Sequence, residues 1–476
     1  MRRRELNVVR KKKFDVRVCI LYPSTYRASL SSLGLQVLYY ALNELDRVYA
    51  ERAVNEGEVV RSIETGTELG KFDAILVTAT YELDYPKIYG IFARSGIHPR
   101  REMRRQSDPL IIIGGPSPTA DPRPLYHVAD VVFRGEGERL VEVLVDALLS
   151  SRDKRERLEA LSVARGAWVP ELKEEAEIEV VEDLGEAFHP IEQIQCLDEE
   201  PIWGRAFMLE PSRGCHRSCW FCLEGSITKP RRERPFEKLL ELIEVGPRVN
   251  RVGKVAIYAL SLFASHRGEE LLEYVVEQGL QASVPSCSVD TLNERRLELI
   301  KAAGQRLVTI APETPVPELQ RAIGKVTPED SLISVARTAS SLGLNIKLYY
   351  MFGLPGEEER DLLEIVKQVR EVYEIFGRDP KRVRVSLNPF VPKPATALRR
   401  AQMDSPSSLK RKARFLMNSL RTLARVEVYG IEHAHIQHRI NSMGRGAIFL
   451  MERLAGVELK ESEELRVFEE LGGRPD

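Results

Sequence analysis

Three cysteines occur within eight residues of one another, in the segment GCHRSCWFC. They are Cys215, Cys219 and Cys222, separated by three and then by two residues. Thiolates are the ligands of protein-bound iron–sulfur clusters. Three thiolates on one short loop can bind three irons of a [4Fe-4S] cluster and leave the fourth iron open to another ligand. The spacing therefore predicts such a cluster.

Structural zinc is the main alternative for these cysteines. A structural zinc site closes around four ligands, and His216 is too near its neighbours in the sequence to complete a tetrahedron easily. Cys196 and Cys287 fall in different predicted elements. A second group of candidate ligands, His433, His435 and His438, lies in the segment EHAHIQH. On a helix only the last two share a face, so we expect ordinary helix histidines there.

The cysteine loop follows the first of several apolar segments in residues 201–400. In chain order these segments are FMLEPSRG, KVAIYAL, ASVPSCS, RLVTIAPET, NIKLYYMFGLPGE and VRVSLNPFVPKP. Amphipathic stretches with helical spacing separate them, for example FEKLLELIEV and ERDLLEIVKQVREVYEIF. This alternation predicts a partial (β/α)6 barrel with its reactive groups at the carboxyl ends of the strands. Residues 401–476 are predicted to form a small helical C-terminal region.

A second alternating region spans residues 15–150. Continuous apolar runs (VRVCILYP, FDAILVTAT, PLIIIGG and ADVVFRG) are interleaved with helical patterns such as Leu33–Leu45. Runs of this kind predict an α/β doubly wound domain, a parallel sheet covered on both faces. Ligands of such sheets bind beside the loops that follow the strands. Gly114 and Gly115 begin one of these loops, where they either admit a ligand close to the backbone or form a structural turn.

Two flanking segments complete the predicted organisation. Residues 1–14 carry seven Lys or Arg and are interpreted as a solvated basic tail. Residues 151–200 are interpreted as a connector with some strand content. With 70 basic and 71 acidic residues, the chain has a formal net charge of -1. It therefore lacks the overall positive charge that would attract nucleic acid, and nucleic acid is not indicated as a partner. We expect no membrane span. Six cysteines are too few and too unevenly placed for a disulfide framework, so we expect a reducing cytoplasmic location.

The pattern C-x3-C-x2-C after a first barrel strand resembles the radical S-adenosylmethionine (SAM) superfamily. Other segments resemble the members of that superfamily with an N-terminal cobalamin-binding domain; they include TIAPETPVPELQRAIGK, YYMFGLPGE, NPFVPKPATAL, IEHAHIQ, LGLQVLYYALN, YELDY, GGPSPTADPRPL and RGEGE. The resemblance implies a flavodoxin-like domain of the B12-binding type followed by a radical SAM barrel. It also implies three cofactors: a [4Fe-4S] cluster, SAM and cobalamin.

The resemblance assigns SAM-binding roles to several residues. Phe221 would pack near the adenine, Glu313 would contact the ribose, and Ser261 would lie near the amino group. For Glu313, an interaction with the dipole of the next helix is the alternative. Related sequences tend to carry an arginine in the third-strand segment, where this chain has Ser288 and its neighbours, and Lys347 is the suggested substitute. Gly353, Leu354 and Pro355 are expected to shape their loop.

For cobalamin, the Asp-x-His-x-x-Gly motif that supplies a cobalt ligand is absent, so the lower face would be open to water or to another side chain. The resemblance implies that the corrin or its nucleotide tail contacts the loops after the strands. The candidate residues are Thr25, Tyr26, Thr80, Tyr81, Gly114, Gly115, Ser117, Gly135, Glu136 and Gly137. A domain that merely docks substrate is the alternative.

The resemblance implies reductive cleavage of SAM to a 5′-deoxyadenosyl radical and cobalamin-dependent methylation of an unactivated carbon. The substrate is not indicated. A low-potential electron donor such as ferredoxin or flavodoxin would be needed. Two alternatives are a radical rearrangement or cyclisation without methyl transfer and a non-catalytic metal-binding scaffold. Methylthiolation of transfer RNA would need additional N-terminal cysteines, and only Cys19 is present there.

Overall fold

The structure is a computed structural model that describes residues 3–328 and 330–455. The chain divides into two units, each considered by itself below. The first contains the chain up to Phe207, residues 248–252, and the chain from Arg439 to the last described residue. The second contains residues 208–247 and 253–438. The part of the predicted C-terminal region at residues 456–476 lies outside the described residues.

The first unit is an α/β layer structure. Its strands are β1 (Glu5–Leu6), β2 (Val16–Tyr22), β3 (Val48–Val54), β4 (Ala74–Thr78), β5 (Leu110–Gly114), β6 (Val131–Phe133), β7 (Ala167–Trp168) and β8 (Gln195–Cys196). Its helices up to this point are α1 (Tyr26–Ser29), α2 (Leu33–Glu44), α3 (Asp84–Arg94), α4 (Pro116–Ala120), α5 (Glu138–Ser150) and α6 (Lys154–Ser162). Short 3-10 turns occupy Leu69–Lys71, Arg101–Met103 and Arg123–Leu125.

The main sheet of this unit has the order β3-β2-β4-β5-β6-β7. The first five strands are parallel, and β7 runs antiparallel to β6. Taken in chain order, the five parallel strands have the arrangement 2-1-3-4-5 of flavodoxin-like folds. Helices α2 and α5 pack in one apolar core with β2 and β6. The predicted doubly wound domain is confirmed, with β3 as a strand that the sequence interpretation missed.

The predicted solvated tail is wrong at Glu5 and Leu6, whereas Lys12 and Lys13 are exposed as predicted. β1 pairs antiparallel with β8, so residues 5 and 6 face residues 196 and 195. The Glu5 carboxylate also receives two hydrogen bonds from the Arg52 guanidinium, at 2.8 and 2.9 Å. A buried ion pair and a strand pairing therefore hold the segment. The predicted connector likewise contributes β7 to the main sheet and β8 to this small one.

The second unit contains the cysteine loop. Its strands are β9 (Phe207–Leu209), whose first residue belongs to the first unit, β10 (Ser212–Arg213), β11 (Arg232–Glu233), β12 (Lys254–Ile257), β13 (Gln281–Ser283), β14 (Leu307–Glu313), β15 (Asn345–Phe352), β16 (Val383–Pro389) and β17 (Arg425–Val428). The remaining helices are α7 (Leu223–Ile227), α8 (Phe236–Asn250), α9 (His266–Glu277), α10 (Glu294–Ala302), α11 (Pro317–Ala322), α12 (Ser331–Ser341), α13 (Glu359–Ile375), α14 (Pro406–Leu420), α15 (Ile431–Met443) and α16 (Ala447–Leu454). Further 3-10 turns lie at Leu262–Ala264, Val289–Thr291 and Gly444–Gly446.

Two parallel sheets build the partial barrel, with the orders β13-β12-β9 and β14-β15-β16-β17. A parallel bridge between Cys287 and Ile310 connects them. The Cys287 N–H donates to the Thr309 carbonyl oxygen at 2.9 Å. All six predicted barrel strands are present, and β17 adds a seventh within the region that was predicted to be helical. Helix α16 belongs to the first unit and packs against α3.

Among the described residues, none of the helices combines the length and the apolar character that a bilayer crossing requires.

Candidate functional site

The cysteine loop lies between β9 and α8, at the carboxyl end of the first barrel strand. The antiparallel pair β10–β11 closes its base, with Ser212 opposite Glu233. Gly214 precedes the first cysteine with a φ of 79°, and a Cβ there would lie 2.8 Å from the Arg231 Cα. Only glycine fits this close crossing without a shift. The hairpin therefore fixes where Cys215 enters the loop.

The three thiols share the loop, and each is partly exposed. The Arg217 N–H donates to the Cys215 sulfur at 3.4 Å, and the Gly225 N–H donates to the Cys222 sulfur at 3.3 Å. Burial raises the pKa of the Cys219 thiol to about 11, and the charges of Cys222 and Cys215 act in the same direction. The loop therefore holds all three thiols in partly buried positions.

Two cations oppose the rise in the pKa of the Cys219 thiol. The charges of Lys325 and Arg217 both lower this pKa. The Arg217 guanidinium lies 2.5 Å from the Asp290 carboxylate and donates to the Val326 carbonyl oxygen at 3.2 Å. Positive charge beside a thiol favours the thiolate, which is the form that binds metal.

Asp290 links Arg217 to the loop after β13. Its carboxylate accepts a hydrogen bond from the Ser288 hydroxyl at 2.6 Å. This bond and the Arg217 guanidinium hold the pKa of the Asp290 carboxyl below its ordinary value, although burial acts the other way. The predicted residue Ser288 is therefore connected to the cysteine loop through Asp290 and Arg217.

Glu313 ends β14 at a register shift against β15. Its φ is 65°, which is a left-handed conformation that a non-glycine residue adopts only when its surroundings impose it. Its carboxylate accepts a hydrogen bond from the Lys325 ammonium at 2.9 Å, and both residues are buried. The charge of Glu313 also raises the pKa of Cys222. The structure thus brings Glu313 to the cysteine loop.

Phe221 is half-buried and packs against an apolar cluster at the carboxyl ends of β14, β15 and β16. The buried members of this cluster are Val316, Leu319, Ile323, Met351, Leu354 and Phe390. The neighbouring residue, Trp220, is fixed through its backbone, since its N–H donates to the Ile323 carbonyl oxygen and its own carbonyl oxygen accepts from the Leu398 N–H. The loop is therefore anchored to the barrel between Cys219 and Cys222.

Two other predicted SAM residues lie farther along the barrel. Ser261 is buried and precedes the 3-10 turn that follows β12. Lys347 is the third residue of β15, and its ammonium group lies 3.1 Å from the Glu427 carboxylate on β17. Lys347 is thus in the amino-terminal half of its strand. Lys325, which the sequence interpretation did not single out, is the lysine that interacts with Cys219.

The GLPGE loop after β15 is shaped by its own hydrogen bonds. Gly353 has a φ of 71°, and its N–H donates to the Glu357 carboxylate at 2.8 Å. The Lys412 ammonium donates to the same carboxylate at 2.8 Å. The expected shaping role of this loop is confirmed.

The histidines of EHAHIQH lie on α15. Across residues 3–328 and 330–455, no three His, Cys, Asp or Glu side chains are grouped around a position for one metal ion. The three cysteines share a loop, but their side chains do not surround a single position that one metal ion could occupy.

In the first unit, the predicted cobalamin residues follow parallel strands and share the carboxyl edge of the main sheet. Thr25 caps the amino terminus of α1, and Thr80 is exposed just after β4. Tyr81 is half-exposed, with the Lys87 ammonium 5.4 Å from its ring centroid. The Thr78 hydroxyl, at the end of β4, is buried with no hydrogen-bond partner. This edge therefore offers both exposed polar groups and one unsatisfied hydroxyl.

Two side chains predicted at this edge are not available to a ligand. Tyr26 is fully buried, and its hydroxyl donates to the Glu5 carboxylate at 2.6 Å. Ser117 is buried, with its hydroxyl 2.8 Å from that of Tyr85. Both hydroxyl groups therefore have a hydrogen-bond partner within the core, as buried polar groups usually do.

Two glycines at this edge allow backbone segments to pass close to each other. Gly115 has a φ of 119°, and a Cβ there would lie 2.2 Å from the Ala79 carbonyl oxygen. At Gly135, with a φ of 106°, a Cβ would lie 2.1 Å from the Glu179 carbonyl oxygen. The structural turn is the better explanation for Gly115. Glu136 and the two glycines Gly114 and Gly137 are partly exposed, and the Glu136 carboxylate accepts from the Val181 N–H.

Comparison with known families decides the identity of the barrel. A family profile described as "Radical SAM superfamily" matches residues 209–369, and one described as "Radical SAM proteins, N-terminal" matches residues 34–170. The chain belongs to the radical SAM superfamily. The superfamily's barrel profile includes the cysteine loop and the Glu313–Lys325 pair.

Two relatives extend the similarity. An uncharacterized protein of Methanocaldococcus jannaschii is 29% identical over 407 residues, which cover 85% of this chain and 83% of the relative. An uncharacterized methyltransferase of Pyrococcus horikoshii is 25% identical over 271 residues, which cover 55% of this chain and 58% of that protein.

Two solved structures share the fold at low sequence identity. The radical SAM methyltransferase TsrM of Kitasatospora setae, with cobalamin and a [4Fe-4S] cluster bound, matches with a TM-score of 0.58 and 16% identity, covering 81% of this chain and 77% of TsrM. The cobalamin-dependent SAM radical enzyme OxsB matches with a TM-score of 0.55 and 14% identity, covering 96% of this chain and 71% of OxsB. The predicted fold of a flavodoxin-like domain and a radical SAM barrel is thereby confirmed.

Proposed function

We propose that this radical SAM protein holds a [4Fe-4S] cluster on Cys215, Cys219 and Cys222 and uses it to cleave SAM reductively. The observation that carries the proposal is the loop itself, where three partly exposed thiols lie within eight residues and two of them accept backbone N–H hydrogen bonds. The donor set fits a cluster with one open iron. When bound, the cluster supplies the electron that breaks a carbon–sulfur bond of SAM.

The chain's own residues would position SAM and exclude water. Phe221 presents a ring beside the apolar cluster at the strand ends and so suits the adenine. Glu313, held by Lys325, would accept hydrogen bonds from the ribose hydroxyls. Ser261 would lie at the amino group.

The SAM carboxylate needs a cation. Lys325 is buried beside Cys219 and Glu313, and we assign it this role in preference to Lys347, which is paired with Glu427. Ser288 and Asp290 would act indirectly, by holding the Arg217 guanidinium in place.

We further propose that the first unit binds cobalamin and that the reaction methylates an unactivated carbon. The flavodoxin-like strand order supports the binding half, as do the polar groups Thr25, Thr78, Thr80 and Tyr81 at the carboxyl edge. The backbone at Gly114, Gly135 and Gly137 would line the same edge. The fold shared with TsrM, which is described as a methyltransferase, supports the methyl-transfer half, as does the name of the Pyrococcus relative.

The six cysteines are all free thiols, which is what a protein of the reducing cytoplasm requires. We place the protein in that compartment.

The test is anaerobic reconstitution of the full chain with iron, sulfide and hydroxocobalamin. Absorption spectra would report the cluster and the corrin separately. SAM turnover would then be followed by mass spectrometry, where 5′-deoxyadenosine marks reductive cleavage and S-adenosylhomocysteine marks methyl donation. A Cys222→Ala variant should lose the cluster, whereas Cys19→Ala, in a buried strand of the first unit, should keep it.

The outcomes separate the two halves of the proposal. A cluster and 5′-deoxyadenosine without bound corrin would contradict cobalamin binding alone. Bound corrin with a product of unchanged mass would favour a rearrangement or cyclisation. Zinc without iron, and no SAM turnover, would contradict the whole proposal and favour a metal-binding scaffold.

A further inference from the structure

Three cations lie side by side on one face of the sheet β14-β15-β16-β17. Lys347 on β15 is in register with Arg384 on β16, and Arg384 is in register with Arg425, the first residue of β17. Residues in register on neighbouring parallel strands point to the same face, and such strands lie about 4.8 Å apart. We call Lys347, Arg384 and Arg425 the basic row.

The basic row faces the inside of the partial barrel. On the opposite face of the sheet, Tyr350 is fully buried, and its hydroxyl donates to the Gln368 side-chain oxygen on α13 at 2.7 Å. The barrel helices therefore cover that opposite face. On the inner face, Arg384 and Arg425 are exposed and Lys347 is partly exposed, so a ligand can reach the row.

The protein itself compensates the basic row only weakly. Arg384 and Arg425 form no ion pair and no side-chain hydrogen bond with any residue in the described ranges 3–328 and 330–455. The Lys347 ammonium lies 3.1 Å from the Glu427 carboxylate, but the Glu427 side chain is 68% exposed, and a pair as exposed as this one stabilises little. Like charges placed opposite one another on neighbouring strands repel and destabilise a sheet. A bound anion would remove this repulsion.

The inner face changes from cationic to apolar towards the carboxyl ends of the strands. Beyond the basic row come Tyr349 and Ser386, which are in register with each other, and the Lys347 ammonium lies 5.2 Å from the Tyr349 ring centroid. Met351 follows on the same face and belongs to the apolar cluster against which Phe221 packs. At roughly 3.3 Å per residue, Lys347 and Met351 are about 13 Å apart along β15.

Resting on the proposed function, we infer that the basic row anchors the substrate through an oxyanion, either a phosphate or a carboxylate. The substrate is then an elongated molecule whose oxyanion lies about 13 Å from its apolar end. Guanidinium groups suit both oxyanions, because their N–H donors match two oxygens of one group. The apolar end would lie at the strand ends beside Met351 and Phe221, where the reaction takes place. Lys347 thereby binds substrate, whereas Lys325 is assigned to the SAM carboxylate.

The composition of the inner face favours a small ligand over a protein partner. Protein interfaces are built around an apolar centre from which charged residues are depleted. The exposed residues around the basic row are instead Arg384, Arg425 and Glu427, which are all charged. The row spans two strand spacings, or about 10 Å, so long side chains from both ends can reach one oxyanion placed near Arg384.

The experiment measures ligand binding to the reconstituted full chain by calorimetric titration, without SAM and without a reductant. The probes are octyl phosphate, octanoate and the neutral octanol, each titrated into the wild type and the Arg384→Gln/Arg425→Gln variant. We expect the Kd of both anionic probes to rise at least about tenfold in the variant, whereas octanol should bind more weakly than the anions and equally to both proteins. The wild-type Kd of the anions should also rise as salt increases above about 0.15 M.

Two controls separate binding from folding and from general surface charge. Arg337→Gln/Arg370→Gln removes two exposed arginines on α12 and α13 and should bind all probes as the wild type does. Urea unfolding of the ligand-free Arg384→Gln/Arg425→Gln variant should give a midpoint equal to or above that of the wild type, because repulsion within the basic row is removed. Butyl phosphate should bind more weakly than octyl phosphate, since its shorter chain leaves the apolar cluster uncovered.

Each outcome has a defined meaning. Equal anion affinities in the wild type and the Arg384→Gln/Arg425→Gln variant, the same loss in the control variant, or octanol binding as tightly as octyl phosphate would overturn the substrate anchor. A lower unfolding midpoint in the Arg384→Gln/Arg425→Gln variant would also overturn it and assign these arginines to the stability of the sheet. Tighter binding of octyl phosphate supports a phosphate ester as substrate, and tighter binding of octanoate supports a carboxylic acid. Anion binding that depends on the arginines in a chain that neither holds iron nor cleaves SAM would support the anion site and refute the proposed function itself.

Discussion

The Lys325 ammonium group lies 2.9 Å from the Glu313 carboxylate, and both side chains are buried beside the cysteine loop. The pair joins the end of β14 to the residue that follows α11 and Gly324. The two charges act on different cysteines. Lys325 lowers the pKa of Cys219, whereas Glu313 raises the pKa of Cys222. A charged pair placed in this way can position a zwitterionic ligand such as SAM.

Glu313→Gln keeps the size of the side chain and removes its charge. We expect SAM affinity to fall by about 10- to 100-fold, because a hydrogen bond to a charged group contributes roughly 1.5–3 kcal/mol, while iron content stays unchanged. Calorimetric titration of SAM into the reconstituted protein measures the effect. Glu318→Gln, on exposed α11 surface where it pairs with Arg321, is the control. Equal affinities for the two variants would exclude Glu313 from SAM binding.

Arg52→Met tests the buried ion pairs that hold β1. The Arg52 guanidinium contacts both Glu64, at 2.6 Å, and Glu5, at 2.8 Å. Removing it leaves buried carboxylates uncompensated, so we expect the free energy of unfolding to drop by about 3–5 kcal/mol. The exposed pair Arg61–Glu68 is the comparison, and Arg61→Met should cost less than about 1 kcal/mol. Urea unfolding measures both, and similar losses would contradict the assignment.

Gly115→Ala tests the close crossing after β5. The new methyl group would meet the Ala79 carbonyl oxygen, and the φ of 119° disfavours alanine. We expect a loss of at least about 2 kcal/mol in the free energy of unfolding, from overpacking and backbone strain together. Gly70→Ala is the matched control, because a Cβ at Gly70 meets nothing within 4 Å. A neutral Gly115→Ala would show that this edge of the sheet relaxes freely.

His435 predicts a pH dependence of stability. Burial and the nearby His438 lower the pKa of His435 to about 4, from an ordinary value of 6.5. Because the folded state favours the neutral ring, its contribution to stability is present above pH 6.5 and is lost as the pH falls from 6.5 towards 4. The urea midpoint should therefore decline across that window and decline less in His435→Gln. His98→Gln, at an exposed position, should follow the wild type, and a His435→Gln curve that does the same would disprove the assignment.

Sequence patterns were sufficient for much of the fold because the parallel strands are continuous apolar runs. β3 was missed since its sequence VYAERAV contains Glu51 and Arg52, and charges in a strand argue against burial. The structure satisfies them with distant partners: Glu51 pairs with Arg17, and Arg52 pairs with Glu64 and Glu5. No local sequence pattern predicts such ion pairs.

The same limit applies to the site. The cysteine spacing indicated the cluster directly, because all three ligands lie on one loop. Lys325 could not be found in this way, since its role depends on the loop and helix that return it to Glu313, twelve residues earlier in the chain. Tyr26 illustrates the reverse case, where a residue after a strand end turns inwards to meet Glu5.

The amount of iron bound at the three cysteines is the most direct test of the proposed [4Fe-4S] site. The full chain would be reconstituted anaerobically with iron and sulfide, in the wild type and in the Cys215→Ala/Cys219→Ala/Cys222→Ala variant, and analysed for iron, zinc and 5′-deoxyadenosine formed from SAM under dithionite. We predict about four irons per wild-type chain with 5′-deoxyadenosine produced, and neither in the variant. Zinc in place of iron in the wild type, or equal iron and equal turnover in both proteins, would contradict the assignment of this loop as a radical SAM cluster site.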